Sequence, residues 1–234
     1  MHVENLPRLN DTHLTKSNRN YLHYLSLHKD IKTAIANYAS GKTLDIGCGN
    51  KPYEKDFMEK TNEYIGCDIV QSSQQKVDVI CDATNVPLPS AECDTVFSIQ
   101  TIEHIAEHQK MLNEANRLLK NGGRLIISGP LYWPLHEEPY DYFRFTKYGF
   151  TYILNKAGFT IEMIIENGGS WATSGQSVIH SFMNSTSRHP FPRLLRFIYF
   201  RLGFLKIHNS IFAWLDKVDH NTAMPINYIV VAKK

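Results

Sequence analysis

The segment from Thr43 to Tyr53, which reads TLDIGCGNKPY, constrains the fold more than any other part of the chain. Its apolar start predicts a short buried strand, and Gly47 and Gly49 predict a turn that leads into a helix. Because glycine has no side chain, such a turn leaves backbone N–H groups accessible at the helix N-terminus. The segment therefore predicts a pocket for a nucleoside-bearing cofactor at the end of a strand.

Two residues near this turn narrow the choice of cofactor. Pro52 stands where the dinucleotide fingerprint Gly-x-Gly-x-x-Gly has its third glycine. Asp45 lies two residues before Gly47, where its carboxylate would repel a pyrophosphate and attract an ammonium group. These features favour S-adenosyl-L-methionine, which has an amino acid tail and no phosphate, over a nicotinamide dinucleotide.

Short apolar segments alternate with helical patterns along most of the 234 residues. The pattern predicts strands at residues 43–46, 64–68, 77–81, 95–99, 124–128, 159–166 and 226–232, and helices at 17–39, 107–120 and 147–157. Nearly continuous apolar strands that alternate with helices are typical of a parallel sheet covered on both faces. We therefore expect an α/β, Rossmann-like fold.

The Asp45-x-Gly47-x-Gly49 motif resembles the first motif of the class I S-adenosylmethionine-dependent methyltransferases. The resemblance covers roughly residues 40–166 and 225–234. It implies seven strands, mostly parallel, with the last strand antiparallel and inserted beside its predecessor. We expect one domain, with an N-terminal helical cap (1–40), a cofactor-binding core (41–166 and 225–234) and a helical insertion (167–224).

Residues downstream of the turn are expected to complete the cofactor pocket. Asp68 ends the second strand about twenty residues beyond the turn, where an acid binds ribose hydroxyls; a helix N-cap is the alternative. The resemblance places Asp82 at the adenine amino group, although a plain turn aspartate is the alternative. It also places the residues after the fourth strand at the sulfonium. The expected cofactor-binding residues are Asp45, Gly47, Cys48, Gly49, Asp68, Ile69, Asp82, Ala83, Gln100 and Thr101.

The loop after the fifth strand, residues 130–146, is rich in aromatic, proline and ionisable residues. It lies at the edge of the sheet where open α/β folds bind their ligands. The run resembles methyltransferases of bacterial surface-polysaccharide and sugar-modification pathways. We interpret His136 as a general base, with a structural loop histidine as the alternative, because its ordinary pKa is near neutrality.

Other residues of this region complete the expected acceptor site. Asp141 either orients His136 or binds acceptor hydroxyls, and Arg144 either pairs with Asp141 or binds an acceptor carboxylate or phosphate. His104 is predicted to line the pocket, one turn into a helix. The expected catalytic residues are His136 and Asp141, and the expected substrate-binding residues are His104, Tyr132 and Arg144.

Metal binding is not expected from the sequence. A site built from His136, Glu137, Glu138 and Asp141 is conceivable, but acidic residues in loops are usually solvated. The four cysteines show no C-x-x-C spacing, which indicates buried, reduced thiols rather than a zinc site. With a polar start to the chain, this predicts a cytoplasmic protein.

The net charge of +2 is unevenly distributed, because residues 188–217 carry +5 and the remainder carries −3. Nucleic-acid binding is not expected, since the positive charge is local. Residues 191–215 show two amphipathic patterns with basic side chains. They predict a lid over the acceptor, a homodimer surface or contact with an anionic membrane surface.

The sequence therefore predicts a methyltransferase that uses S-adenosyl-L-methionine and acts on a hydroxyl of a small acceptor. The expected acceptor is a sugar or glycan precursor, nucleotide- or lipid-linked, in polysaccharide biosynthesis. One alternative is N- or O-methylation of another small metabolite. A second alternative is a non-catalytic protein that binds S-adenosyl-L-methionine.

Overall fold

The computed structural model describes residue 9 and residues 12–234. Seven strands form a sheet: β1 (Gly41–Ile46), β2 (Thr61–Asp68), β3 (Val79–Ile80), β4 (Cys93–Ile99), β5 (Leu119–Pro130), β6 (Thr160–Asn167) and β7 (Asn227–Lys233). Their order is β3-β2-β1-β4-β5-β7-β6, and the pairs formed among β1 to β5 are parallel. The predicted Rossmann-like class is confirmed, including the insertion of the last strand beside β6.

The helices of the described residues are α1 (Tyr21–Tyr38), α2 (Glu54–Met58), α3 (His108–Leu118), α4 (Lys147–Lys156), α5 (Ser170–Met183), α6 (Pro190–Arg201) and α7 (Phe204–Val218). A 3₁₀ turn spans Ile102–His104. Helices α5 to α7 form the predicted helical insertion between β6 and β7. None of the helices in the described part of the chain has both the length and the apolar character required to cross a membrane.

Two local predictions differ from the structure. The helix predicted at 107–120 ends at Leu118, because Gly122 donates a backbone hydrogen bond to the Lys234 carbonyl and Lys234 donates one to Gly123. With these bonds, β5 begins at Leu119 and runs through Gly122 and Gly123. His104 does not lie one turn into a helix, since it ends the 3₁₀ turn and α3 begins only at His108.

The chain divides into two compact units. The sheet unit contains residues 30–165 and 228–234, and its central strands bury a continuous apolar cluster. Leu44, Val96 and Leu125 are fully buried there, together with Phe150 of α4. Close packing of this kind holds the strand ends in fixed positions.

The helical unit contains residues 13–29 and 166–227. Gly175 of α5 allows a close approach, because a Cβ atom at this position would lie 2.6 Å from the Phe212 ring and 2.7 Å from Leu22. Buried Asn209 donates hydrogen bonds to the carbonyls of Lys16 and Asn18. Helix α6, by contrast, has no buried residue. The predicted boundaries at 40, 166 and 224 stay a prediction.

Candidate functional site

The glycine turn after β1 is tied to the neighbouring strands. The amides of Gly47 and Cys48 donate hydrogen bonds to the Cys67 carbonyl at 2.8 and 3.0 Å. Gly47 has a φ of +77°, and a Cβ atom there would lie 2.3 Å from the Thr101 hydroxyl oxygen. Only glycine fits this position, because the backbone conformation and the contact with Thr101 both exclude a side chain.

Two of the predicted acids lie at the ends of the next strands. The Asp68 carboxylate accepts hydrogen bonds from the amides of Gly49 at 3.1 Å and Ile69 at 2.8 Å. Asp82 accepts from the amide and the hydroxyl of Thr84 at 2.7 and 2.8 Å. These local bonds fix both carboxylates where the strands end, as a binding role requires.

A cavity of about 500 Å³ opens at the carboxyl ends of the parallel strands. This volume is typical of small-molecule sites. Of the predicted site residues, those in the cavity wall are Gly47, Asp68, Ile69, Asp82, Ala83, Gln100, Thr101 and His104. Those outside the wall are Asp45, Cys48, Gly49, Tyr132, His136, Asp141 and Arg144.

These wall residues fit S-adenosyl-L-methionine. The glycine turn excludes side chains from one end, and the acids after β2 and β3 give hydrogen-bond acceptors for hydroxyl and amino groups. Polar wall residues that the sequence analysis missed are Thr84, Glu107, Lys110, Glu137, Tyr140 and Tyr142. Five of them belong to the loops that follow β3, β4 and β5, whereas Lys110 lies in the first turn of α3.

Asp45 is buried beside the turn instead of facing the cavity. It accepts a hydrogen bond from the Tyr64 hydroxyl. Burial raises the pKa of Asp45 to about 7, although the Tyr64 bond and the Lys51 ammonium lower it. Lys51 is itself buried and pairs with Asp78, a contact that the sequence analysis did not anticipate.

The end of β4 has a strained backbone. Gln100 has a φ of +51°, and its amide and side-chain nitrogen both lie within hydrogen-bond distance of the Ser128 hydroxyl, at 3.2 and 3.0 Å. A non-glycine residue in this conformation costs roughly 1–3 kcal/mol, and such residues cluster at ligand-binding sites. The strain turns the chain so that Gln100 and Thr101 both line the cavity.

The loop after β5 is organised around Asp141, whose side chain is only 1% exposed. Arg144 donates to both of its carboxylate oxygens at 2.6 and 2.7 Å. His136 donates its amide to Asp141 at 3.1 Å and places Nδ1 3.2 Å from it. Burial raises the pKa of Asp141, but the hydrogen bonds from Arg144 and the His136 amide lower it, and the result is a pKa of about 2. Asp141 therefore holds Arg144 and His136 in place as a carboxylate.

His136 contacts His104 at the edge of the cavity, with the ring centroids 4.7 Å apart. Glu103 joins them, since its carboxylate and one nitrogen from each histidine all lie within 4.8 Å of one another. Burial raises the pKa of Glu103 to about 8. The pKa of His136 is lowered by burial and by the charge of His104. The structure therefore brings together predicted residues 104 and 136 and adds Glu103.

Residues 44–127 match a family model described as a methyltransferase domain. The tRNA (carboxymethyluridine(34)-5-O)-methyltransferase ALKBH8 of Mus musculus is 37% identical over 106 residues, which cover 40% of this chain and 15% of that protein. A "probable S-adenosylmethionine-dependent methyltransferase" of Mycolicibacterium smegmatis is 27% identical over 151 residues, 58% of each chain. The chain thus matches only part of each of these relatives.

The crystal structure of a SAM dependent methyltransferase from Archaeoglobus fulgidus has the same fold. It superposes with a TM-score of 0.54 and 18% identity, covering 88% of this chain and 94% of that chain. The family match, the strand order and the cavity at the glycine turn agree. Residues 44–127 therefore belong to a methyltransferase domain with the class I fold, and the cavity at the glycine turn fits S-adenosyl-L-methionine as its cofactor.

Proposed function

We propose that the protein transfers a methyl group to a hydroxyl of a small, polyhydroxylated acceptor, such as a sugar or glycan precursor. The observation that carries this proposal is the cavity wall beyond Thr101, where His104, Glu137, Tyr140 and Tyr142 line the same cavity as Gly47. Carboxylates bind hydroxyl groups through hydrogen bonds, and tyrosines offer both an apolar ring face and a hydroxyl. This part of the wall suits an acceptor with many hydroxyls.

A hydroxyl acceptor must lose its proton during methyl transfer, whereas the bound cofactor supplies an already activated methyl group. The two histidines beside the cavity are suited to promote that loss. Nδ1 of His104 lies 2.9 Å from the Tyr140 carbonyl and Nδ1 of His136 lies 3.2 Å from Asp141, so both rings are held in place. They promote proton loss either as bases or as ligands of a cation.

The experiment is a methyl-transfer assay with the full chain, which measures S-adenosylhomocysteine formed with a panel of acceptors. The panel contains free, nucleotide-linked and lipid-linked sugars, other small metabolites with amines or hydroxyls, and tRNA. We expect turnover with a sugar class and none with tRNA. Turnover only with another metabolite, or with tRNA, contradicts the sugar proposal. Cofactor binding without turnover on any acceptor favours a non-catalytic role.

His136→Ala tests the role of the histidine pair. We expect turnover to fall at least about tenfold while affinity for S-adenosyl-L-methionine is kept, because His136 lies outside the cavity wall. His220→Ala, at an exposed position, is the matched control. Unchanged turnover in His136→Ala would remove this residue from the proposed mechanism.

We also propose that the helical unit contacts an anionic membrane surface. Large apolar side chains on α6, on α7 and at Leu202 between them are between 49% and 65% exposed: Phe191, Leu194, Phe197, Leu202, Phe204, Ile207, Ile211, Trp214 and Val218. Exposed Arg193, Arg201 and Lys206 lie among them. Apolar helix faces flanked by basic side chains suit anionic lipid, and a lipid-linked acceptor would lie at such a surface.

Co-sedimentation with vesicles of phosphatidylcholine and phosphatidylserine tests this contact. Because each basic residue contributes about 1 kcal/mol near an anionic surface, replacing Arg193, Arg201 and Lys206 by Gln should weaken binding about a hundredfold. The control replaces the exposed residues Lys55, Lys60 and Lys156 of the sheet unit in the same way. If the wild type does not sediment with vesicles, or is a dimer that buries this surface, the membrane proposal is wrong.

A further inference from the structure

Within the described part of the chain, the Glu103 side chain has no hydrogen-bond partner on any other residue. It is fully buried, and neither carboxylate oxygen is bonded to any other part of the chain that the structure describes. Its backbone is well engaged, since the Glu103 carbonyl accepts hydrogen bonds from the amides of Tyr142 and Phe143 at 2.9 and 3.3 Å. Because buried polar groups almost always have hydrogen-bond partners, we expect a ligand to bind this carboxylate.

The side chains next to this carboxylate are metal-ligating. One oxygen of Glu103 and one nitrogen each of His104 and His136 lie within 4.8 Å of one another. Ligand atoms about 2.1 Å from one tetrahedral ion lie about 3.4 Å apart, so inward shifts of up to about 0.8 Å per ligand atom would complete the coordination. Glu137 adds a second carboxylate, 3.8 Å from Nε2 of His104.

The outer partners of the two histidines also match a metal site. Histidines that bind metals usually donate their other ring N–H to a carboxylate or a backbone carbonyl. Nδ1 of His136 is 3.2 Å from Asp141, and Nδ1 of His104 is 2.9 Å from the Tyr140 carbonyl. In each ring this leaves Nε2 as the nitrogen that an ion would take.

We infer that Glu103, His104 and His136 form a binding site for a divalent transition-metal ion at the edge of the cavity. Two imidazoles and one carboxylate suit zinc and its neighbours in the first transition row, whereas calcium and magnesium prefer oxygen ligands alone. Three protein ligands also leave a position open for an oxygen of the acceptor.

This site deepens the proposed function and rests on it for the identity of the acceptor. A divalent cation lowers the pKa of a hydroxyl bound to it, so the acceptor proton passes to solvent. The acceptor oxygen then forms a bond to the methyl carbon, and the electron pair of the broken carbon–sulfur bond stays on sulfur. In this arrangement the two histidines act as ligands, and neither acts as the base.

The test is a titration of the chelator-treated full chain with Co²⁺, monitored by visible absorption, together with elemental analysis after loading with Zn²⁺ or Mn²⁺. We expect one ion per chain. Glu103→Gln and His136→Ala should each weaken Co²⁺ binding at least about tenfold, and Asp141→Asn should weaken it 10–100-fold by releasing the ring of His136. Glu138→Gln and His220→Ala, both at exposed positions, should bind like the wild type.

Thermal unfolding without added metal shows whether each variant is folded, so a loss of binding in a folded variant is informative. No stoichiometric binding by the wild type, or wild-type binding by folded Glu103→Gln and His136→Ala, would overturn the inference. Failure of the metal site is distinguishable from failure of the proposed function. Methyl transfer that persists after chelation refutes only the metal role, and Co²⁺ binding without any methyl transfer refutes only the proposed activity.

Discussion

Asp45 allows the electrostatics of the glycine turn to be tested directly. Its carboxylate is buried at the end of β1, where the Tyr64 hydroxyl donates a hydrogen bond to it. Burial raises its pKa from 3.8 to about 7. We predict that Asp45→Asn removes a pH dependence of stability that the wild type shows between about pH 5 and pH 8.

The direction and size of this effect follow from the two pKa values. A raised folded-state pKa means that the protonated carboxyl contributes its full stability below pH 3.8 and that this contribution is lost as the pH rises through about 7. At 1.36 kcal/mol per pKa unit, the free energy of unfolding should fall by about 2 to 3 kcal/mol between about pH 5 and pH 8. The variant carries no ionisable group at this position and should not show that loss.

Urea denaturation across this pH range measures the effect. The quantity to follow is the difference in free energy of unfolding between the wild type and Asp45→Asn, because groups that titrate in both proteins cancel. Glu59→Gln, at an exposed position, controls for the removal of one carboxyl group. If the difference between wild type and Asp45→Asn is constant with pH, the carboxylate is ionised throughout and the reasoning is refuted.

Binding of S-adenosylhomocysteine tests the separate prediction that Asp45 recognises the cofactor. If the ammonium group of the ligand pairs with this carboxylate, binding favours its ionised form. Affinity measured by calorimetry should then rise with pH, approaching tenfold per pH unit below about 7, and should level off above it. Asp45→Asn should show no such rise. An equal pH dependence in both proteins would place the ammonium group elsewhere.

Three further substitutions test how the two units are built. Gly47→Ala should destabilise the protein by about 2 to 4 kcal/mol and abolish cofactor binding, because it adds strain at φ +77° and a 2.3 Å contact with Thr101. Gly203→Ala is the comparison, since Gly203 has a φ of +81° but a Cβ atom there would meet no atom within 4 Å; it should lower the free energy of unfolding by only about 1 to 2 kcal/mol. Asp216→Ala should destabilise the helical unit by about 1 to 2 kcal/mol, because the Asp216 carboxylate caps α5. Urea denaturation measures the free energy of unfolding of all three variants. Equal destabilisation by the two glycine substitutions, or none by Asp216→Ala, would contradict the roles given to these residues.

The sheet could be predicted from the sequence because its signals are local. Each parallel strand is a short apolar run, and the glycine turn after Ile46 is readable from three residues. Acids at the ends of parallel strands meet at one edge of the sheet, so the wall position of Asp68 followed from chain order, whereas that of Asp82 was implied by the family resemblance.

The sequence predicted a helical insertion at 167–224 but not α5 as a separate helix within it, because the support for α5 comes from a distant residue. Its sequence is rich in serine, threonine and glycine, which are weak helix formers. The amides of Gly169 and Ala172 at its start are capped by the Asp216 carboxylate, more than forty residues along the chain. Contacts of this kind leave no periodic pattern in the sequence.

Lys51, within the predicted glycine motif, is a second residue whose environment depends on a contact that the sequence pattern does not predict. A lysine beside a cofactor turn is ordinarily expected in solvent, yet this one is buried and pairs with Asp78. Its aliphatic part fills the space over Gly66, where a Cβ atom would lie 2.4 Å from Cε of Lys51. The requirement for glycine in β2 is therefore set by a side chain from a different element.

The cluster around Glu103 is the clearest example of a feature that the sequence does not predict, because residues 103 and 136 follow different strands. The hydrogen bonds from Tyr142 and Phe143 to the Glu103 carbonyl draw the loop after β5 onto the 3₁₀ turn, and the Asp141–Arg144 pair fixes that loop internally. The spacing of residues along the sequence predicts neither of these contacts. The sequence predicted His136 and Asp141 as catalytic residues but not Glu103, so the acceptor chemistry depends on contacts that only folding creates: a buried carboxylate without a partner on another described residue, two oriented imidazoles and a cavity wall beside them.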